Sequence, residues 1–81
     1  MVTLDEVKLV LGITGNHFDT QLTLLVNEVK EYLRSAGVLD AVIESDVSKG
    51  AIVKGVADLW EGNGLSDYFY QRADQLRGVR S

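Results

Sequence analysis

The sequence predicts an all-α fold, a small bundle of about four helices. Three observations predict it: apolar residues recur at spacings of three and four, glycines interrupt these runs, and 81 residues contain no proline. A hydrophobic fraction of 46% and a charged fraction of 25% are typical of a folded globular domain. The length allows one helical domain over residues 1–81, since domains usually contain about 50–200 residues.

The first helix is predicted by a capping box at Thr3 and Glu6, whose side chains can each satisfy a backbone N–H left open at a helix start. Val2 and Val7 occupy the positions of a hydrophobic staple across the same cap. Gly12 follows the last apolar position and is therefore expected to end the helix.

The second helix has the clearest amphipathic pattern. Its apolar residues recur every three or four positions: Phe18, Leu22, Leu25, Val26, Val29 and Leu33. Asn16 or Asp19 could cap its start, and Gly37 is expected to end it in the left-handed conformation. The apolar residues between 38 and 45 fit either a single buried helical turn or a short strand, and the pattern leaves both open.

A third helix is predicted over about residues 47–61, with Ser45 or Asp46 near its start. Gly50 and Gly55 lie inside it, and each glycine costs a helix up to about 1 kcal/mol relative to alanine. Close approach of another helix is the reason we expect for two glycines at these positions.

The fourth helix is predicted between Ser66, its N-cap, and Arg77, with residues 78–81 as a frayed tail. The apolar faces of the four helices define an expected core. Its members are Val7, Val10, Leu22, Leu25, Val26, Val29, Leu33, Ile52, Val56, Phe69 and Leu76.

The side chains that carry enzyme chemistry do not converge in this sequence. There is no cysteine, which excludes disulfides, thiolate metal sites and a cysteine nucleophile. His17 is the single histidine and lies in a polar connector, where a surface or capping role is expected. The Ser48-Lys49-Gly50 segment lacks the upstream glycine and strand of a phosphate loop. We therefore expect no enzymatic activity, no metal and no cofactor.

Hydropathy argues against a membrane-spanning protein, and net charge argues against a tight grip on nucleic acid. The apolar runs are too short for a membrane span, and the first residues lack a secretory signal pattern, so we expect a protein made in the cytosol. A net charge of -4 has the wrong sign for a domain that grips DNA phosphates.

The fourth helix is the candidate interaction surface. Three aromatics in a row cannot all point inward, and arginines follow them towards the end of the chain. Tyrosine and arginine are enriched at binding hot spots. The expected interface comprises Tyr68, Tyr70, Arg72, Arg77 and Arg80, with Gly50 and Gly55 of the third helix as a second candidate face. The alternative is a core helix with ordinary tyrosines at its rim and a solvated basic end.

Four segments together carry a resemblance to a known family. They are a Thr-Leu-Asp-Glu-Val-Lys opening, a first helix ending at Leu11-Gly12-Ile13, a second closing in Glu31-Tyr32-Leu33, and a third ending in Leu59-Trp60. In this order and spacing, the chain resembles the head-to-tail connector proteins of long-tailed bacteriophages. The resemblance implies a compact helical adaptor without enzymatic activity that assembles as a ring, dodecameric in the virion.

The resemblance also implies the partners. They are further copies of the same chain, the portal protein, and a tail-completion or stopper protein, with DNA passing through the ring at the head-tail junction without tight binding. A small helical DNA-binding regulator is the alternative function. It is suggested by the row of Gln71, Arg72, Gln75 and Arg77 on the fourth helix.

Overall fold

The structure, a computed structural model, describes residues 3–79, and over this range the chain is helical as predicted. The α-helices are α1 (Leu4–Leu11), α2 (Asp19–Ser35), α3 (Asp40–Ile43), α4 (Lys49–Trp60) and α5 (Asp67–Arg77). A 3-10 turn at Asp46–Ser48 leads directly into α4. The segment that the sequence left open between turn and strand is a helical turn, α3, and its Val42 and Ile43 are buried.

Local signals explain four of the helix ends. Thr3 Oγ1 accepts a hydrogen bond from the Glu6 backbone N–H at 3.2 Å, and Glu6 Oε1 accepts one from the Thr3 N–H at 3.1 Å, which confirms the capping box. Gly12 and Gly37 follow α1 and α2 with φ angles of 73° and 96°, the left-handed conformation that glycine adopts without strain. Ser66 caps α5 through its hydroxyl, as predicted.

The start of α2 differs from the prediction. Phe18 occupies the N-cap position, and neither Asn16 nor Asp19 provides a capping hydrogen bond in this part of the chain. The Asp19 carboxylate instead lies 2.8 Å from Lys8 Nζ, which ties α2 to α1. The Asp19 carboxylate, which the local pattern predicted as a possible cap, therefore forms a tertiary ion pair instead.

The predicted third helix begins as the 3-10 turn at Asp46 and becomes α4 at Lys49. Ser48 is completely buried, and its hydroxyl donates a hydrogen bond to the Ile43 carbonyl oxygen at 2.5 Å. This bond fixes the end of α3 against the start of α4.

The buried core lies between α2 and α4, with the other helices around it. It consists of Val7, Leu22, Val29, Leu33, Val38, Val42, Ile43, Ala51, Ile52, Val56, Phe69, Ala73 and Leu76. Two predicted members, Leu25 and Val26, pack only partly against it. Val10 was predicted wrongly, since 61% of it is exposed. Val7 is the α1 residue aimed into the core, and Val10 lies at the helix edge beside α4.

Helices α2 and α4 cross the middle of the molecule in opposite directions. Phe18 at the start of α2 meets Trp60 at the end of α4, with the ring centroids 5.3 Å apart and the rings edge to face. Midway along both helices, Val29 faces Gly55. The inner faces of the two helices are thus packed together and their outer faces point away from each other.

Backbone hydrogen bonds continue just beyond α5. The N–H groups of Gly78 and Val79 donate to the carbonyls of Gln75 and Leu76, and Val79 packs partly against the core. Arg80 and Ser81 lie outside the described residues. So does Val2, one half of the staple predicted at α1.

Candidate functional site

The three consecutive aromatics of α5 point in three directions, as the sequence predicted. Phe69 is completely buried, whereas 55% of Tyr68 and 43% of Tyr70 is exposed. Successive residues on a helix are about 100° apart, so one inward side chain places its two neighbours on opposite flanks. The tyrosines of the predicted interface therefore belong to two different surfaces.

Tyr70 lies on the α2 side of the molecule. Its ring centroid is 5.6 Å from that of Tyr32, in an edge-to-face arrangement, and Tyr32 in turn packs on Phe69 at 5.5 Å. Such aromatic pairs are typically worth about 0.5–1.5 kcal/mol beyond the area that they bury. Tyr70 thus has an internal packing role in addition to its exposed edge.

The arginines of the predicted interface interact with their own chain. Arg72 is half-buried and donates to Gln75 Oε1 at 2.6 Å. Arg77 lies 3.5 Å from Asp74. The Arg77 stem also covers Gly37, where an added Cβ would come within 3.2 Å of its Cδ. Arg80, the third arginine of the prediction, lies outside the described residues.

The two glycines of α4 have opposite surroundings. A Cβ added to Gly55 would lie 2.7 Å from Phe69 Cε1 and 3.0 Å from Val29 Cγ1, so α2 and α5 both approach the backbone here. The close helix approach predicted for Gly55 is confirmed, and it occurs inside the chain on a buried surface. Gly50 is exposed, and a Cβ added there would meet nothing within 4 Å.

An open groove runs along the outer face of α4. Its apolar lining is Val10 from α1, Gly50, Val53 and Ala57 from α4, and Tyr68 from α5. We call these five residues the α4 trough. The trough brings together Gly50 and Tyr68, two members of the predicted interface, and it contains Val10, which the sequence had placed in the core.

Charged side chains that form ion pairs border the trough, so positive and negative groups both lie along its edge. Lys49 Nζ lies 2.9 Å from Glu6 Oε2, which joins α4 to α1, and 3.5 Å from Asp46. The hydrogen bond from Lys49, with further ones from Thr3, holds the pKa of Glu6 below its ordinary value. The bond to Glu6 likewise raises the pKa of Lys49.

Asp58, on the inner side of α4, was not singled out by the sequence pattern. Only 7% of it is exposed, and it lies 3.0 Å from Lys54 and accepts a hydrogen bond from the Ser66 N–H at 3.1 Å. Burial by itself would raise the pKa of Asp58, but the bonds from Lys54 and Ser66 outweigh burial and leave that pKa below its ordinary value. Asp58 thus fastens the start of α5 to α4. The Lys54–Asp58 spacing of four residues was the available sequence signal.

Reactive groups do not gather anywhere in residues 3–79. Over this range no three metal-binding side chains converge, and no helix is long and apolar enough to cross a membrane. His17 is exposed and stacks edge-on against Phe18, with the ring centroids 4.9 Å apart.

Fold and surface together define a small all-helical structural domain. The family model described as phage connector protein matches residues 3–76, nearly the whole chain. The chain therefore belongs to the phage connector family, a family of structural proteins found in virions. Neither the curated proteins nor the solved structures gave a match. The family resemblance noted in the sequence is thereby confirmed.

Proposed function

We propose that this protein is a non-enzymatic component of the phage head-to-tail connector. Copies of the chain assemble as a ring between the portal protein and a tail-completion or stopper protein, and DNA passes through the bore during packaging and ejection. The observation that carries the proposal is the family match over residues 3–76. The absence of cysteine is consistent with assembly by non-covalent contacts alone.

Exposed apolar side chains support a protein that buries surface in an assembly. Leu9 is 82% exposed, Leu24 64% and Val10 61%, on a chain of only 8.9 kDa. Single apolar residues on a surface are normal, but apolar residues grouped around one groove mark contact sites. Of these three residues Val10 lines the α4 trough, where it is joined by the exposed Tyr68.

Charge supports passage of DNA without tight binding. Each chain carries a net charge of -4, which is repeated around a ring. Affinity for duplex DNA comes mainly from cations that neutralise phosphates, and a bore that DNA slides through gains nothing from it. The residues expected to read DNA in a regulator are partly engaged, since Arg72 bonds Gln75 and Arg77 lies beside Asp74.

The outer edge of α5 is the surface that we assign to the portal. It combines the exposed edge of Tyr70 with Arg77, which is seven residues later on the same flank of α5, in an otherwise acidic chain. An aromatic and basic surface of this kind suits a protein partner with acidic groups. The double variant Tyr70→Ala with Arg77→Ala should fold, because neither side chain belongs to the buried core, and should bind the portal vertex more weakly than wild type.

The proposed function is tested by adding the purified chain to capsids that carry the portal but were made without the chain. Binding should be confined to the portal vertex, as seen by electron microscopy with a gold label on the added chain. Capsids made without the portal are the matched control. Equal binding to both kinds of capsid, or to neither, would contradict the proposal.

A further inference from the structure

The loop between α4 and α5 contains an asparagine followed by a glycine, Asn63 and Gly64. In such a pair the backbone nitrogen of the glycine can attack the side-chain amide of the asparagine, because the glycine has no side chain that blocks the approach. The asparagines of the chain, Asn16, Asn27 and Asn63, are all exposed, so access to solvent does not distinguish them. Asn63 differs in the residue that follows it and in the surroundings of that residue's N–H group.

The backbone nitrogen of Gly64 is unobstructed. Its N–H group donates no hydrogen bond within residues 3–79, and a Cβ added to Gly64 would meet nothing within 4 Å. The φ angle of Gly64 is 71°, a left-handed conformation that glycine adopts without strain. An attack by this nitrogen therefore breaks no hydrogen bond and passes no side chain.

The other two asparagines lack this combination. Asn27 lies inside α2, where the N–H of the next residue, Glu28, belongs to the hydrogen-bond ladder of the helix. Asn16 lies in a loop, but it is followed by His17, and a bulky side chain beside the attacking nitrogen slows ring closure. Asn63 is therefore the asparagine whose surroundings permit the reaction.

We infer that Asn63 is a site of spontaneous deamidation and that the modification loosens the attachment of α5 to α4. In the first step the Gly64 nitrogen bonds to Asn63 Cγ and gives up its proton, while the Cγ–Nδ2 bond breaks and ammonia leaves with that proton. The product is a five-membered succinimide ring. Water then opens the ring at one of its two carbonyl carbons, which leaves aspartate or isoaspartate at position 63.

Asp58 holds both ends of the segment that the reaction changes. Its carbonyl oxygen accepts a hydrogen bond from the Asn63 N–H at 3.1 Å, and its carboxylate accepts one from the Ser66 N–H at 3.1 Å. Isoaspartate routes the main chain through Cβ and Cγ of residue 63, which adds one carbon atom between these two fixed points. Only Gly64 and Leu65 separate them, and Leu65 packs partly against the core. The added atom should therefore displace one of the two hydrogen bonds.

Both products also add a carboxylate to the loop. One further negative charge changes the net charge of the chain from -4 to -5. Residue 63 lies just after the carboxyl end of α4, and its N–H is bonded to a carbonyl of that helix. The partial charge at this end of a helix is negative, so the new carboxylate is repelled there. Charge therefore acts in the same direction as the lengthened main chain.

The first test follows the amides by peptide mapping with mass spectrometry while the folded chain is incubated in warm, mildly alkaline buffer. Asn63 should lose its amide while Asn16 and Asn27 retain theirs. Hydroxylamine, which cleaves a succinimide, should split a portion of the chain after residue 63. Retention of the amide at Asn63, or its loss no faster than at Asn27, would overturn the inference.

The variant Glu28→Gly is the matched control, because it gives Asn27 a glycine neighbour whose N–H still lies inside α2. In the folded variant Asn27 should keep its amide for longer than Asn63 does. In concentrated urea, where both pairs are unfolded, the two rates should become similar. Equal rates in the folded variant would show that sequence alone selects the site, against the structural reasoning.

The second test measures the attachment of α5 by urea unfolding followed by circular dichroism. The incubated wild-type chain should unfold at a lower urea concentration than the fresh chain. The control is Asn63→Gln, whose longer side chain does not form the five-membered ring, and it should show no change after the same incubation. If the wild type that has lost the Asn63 amide unfolds at the same urea concentration as the fresh chain, the effect on α5 is overturned. Both tests use the isolated chain, so their outcomes are independent of assembly into a connector.

Discussion

Alanine substitutions at Gly50 and Gly55 should change the stability of the isolated chain in opposite directions. Both glycines lie inside α4, so both substitutions remove the same unfavourable backbone entropy of glycine in a helix. The difference lies in what the new methyl group meets. At Gly50 it meets open space, and at Gly55 it meets the ring of Phe69 and the side chain of Val29.

The expected magnitudes follow from these contacts. Gly50→Ala should raise the free energy of unfolding by about 0.5–1 kcal/mol, which is a rise in melting temperature of about 2–8 °C for a domain of this size. Gly55→Ala gains the same helix term but places Cβ 2.7 Å from Phe69 Cε1. Overpacking of a core costs about 1–3 kcal/mol, so the net effect should be a loss of about 0.5–2 kcal/mol.

Urea unfolding followed by far-UV circular dichroism measures both changes, on chains of the same length and under the same buffer conditions. The slope of the transition should stay constant between variants, since neither substitution changes the area exposed on unfolding. If Gly55→Ala stabilises the chain as much as Gly50→Ala does, then α2 and α5 do not approach α4 as described, and the assignment of the core is wrong.

Four further outcomes are expected. Val29→Asp should unfold the chain at 25 °C by circular dichroism, because a charge at a fully buried site costs about as much as the whole stability, on the order of 5 kcal/mol. Ser66→Ala should lower the free energy of unfolding by about 1 kcal/mol in a urea titration, through loss of the α5 cap, whereas Ser66→Asn should largely retain it. The folded-state pKa of Asp58 lies below its unfolded value, so its contribution is present at neutral pH and disappears as pH falls below about 4. The stability difference between wild type and Asp58→Asn should accordingly shrink between pH 6 and pH 2, and a constant difference would contradict this role. Duplex DNA should bind weakly at physiological salt in a gel-shift assay, whereas submicromolar affinity with a steep salt dependence would favour the regulator.

Local sequence signals correctly predicted several helix ends that depend on hydrogen bonds between residues close together in the chain. The capping box at Thr3, the left-handed Gly37 and the cap at Ser66 each depend on hydrogen bonds between near neighbours. The order of the helices followed from apolar periodicity for the same reason. The inward position of Phe69 between two exposed tyrosines followed from its helical spacing to the apolar residues Ala73 and Leu76.

Features that depend on tertiary contacts could not be predicted from local sequence patterns. Val10 shares the spacing of core residues, but the packing of α1 against α4 leaves it at the edge of the trough. Aspartate often caps helices, but the Asp19 carboxylate forms an ion pair with Lys8 on α1 instead of a cap on α2. The sequence could not separate Gly50 from Gly55, because only the position of Phe69 shows which glycine is needed inside the chain.

Assignment of the protein to the connector is tested most directly by a cryo-electron microscopy map of the head-tail junction in particles of the phage that encodes this chain. We expect a ring of density between portal and tail, in which each unit fits α1–α5. A junction built without this chain, in particles that also lack it by mass spectrometry, would contradict the assignment.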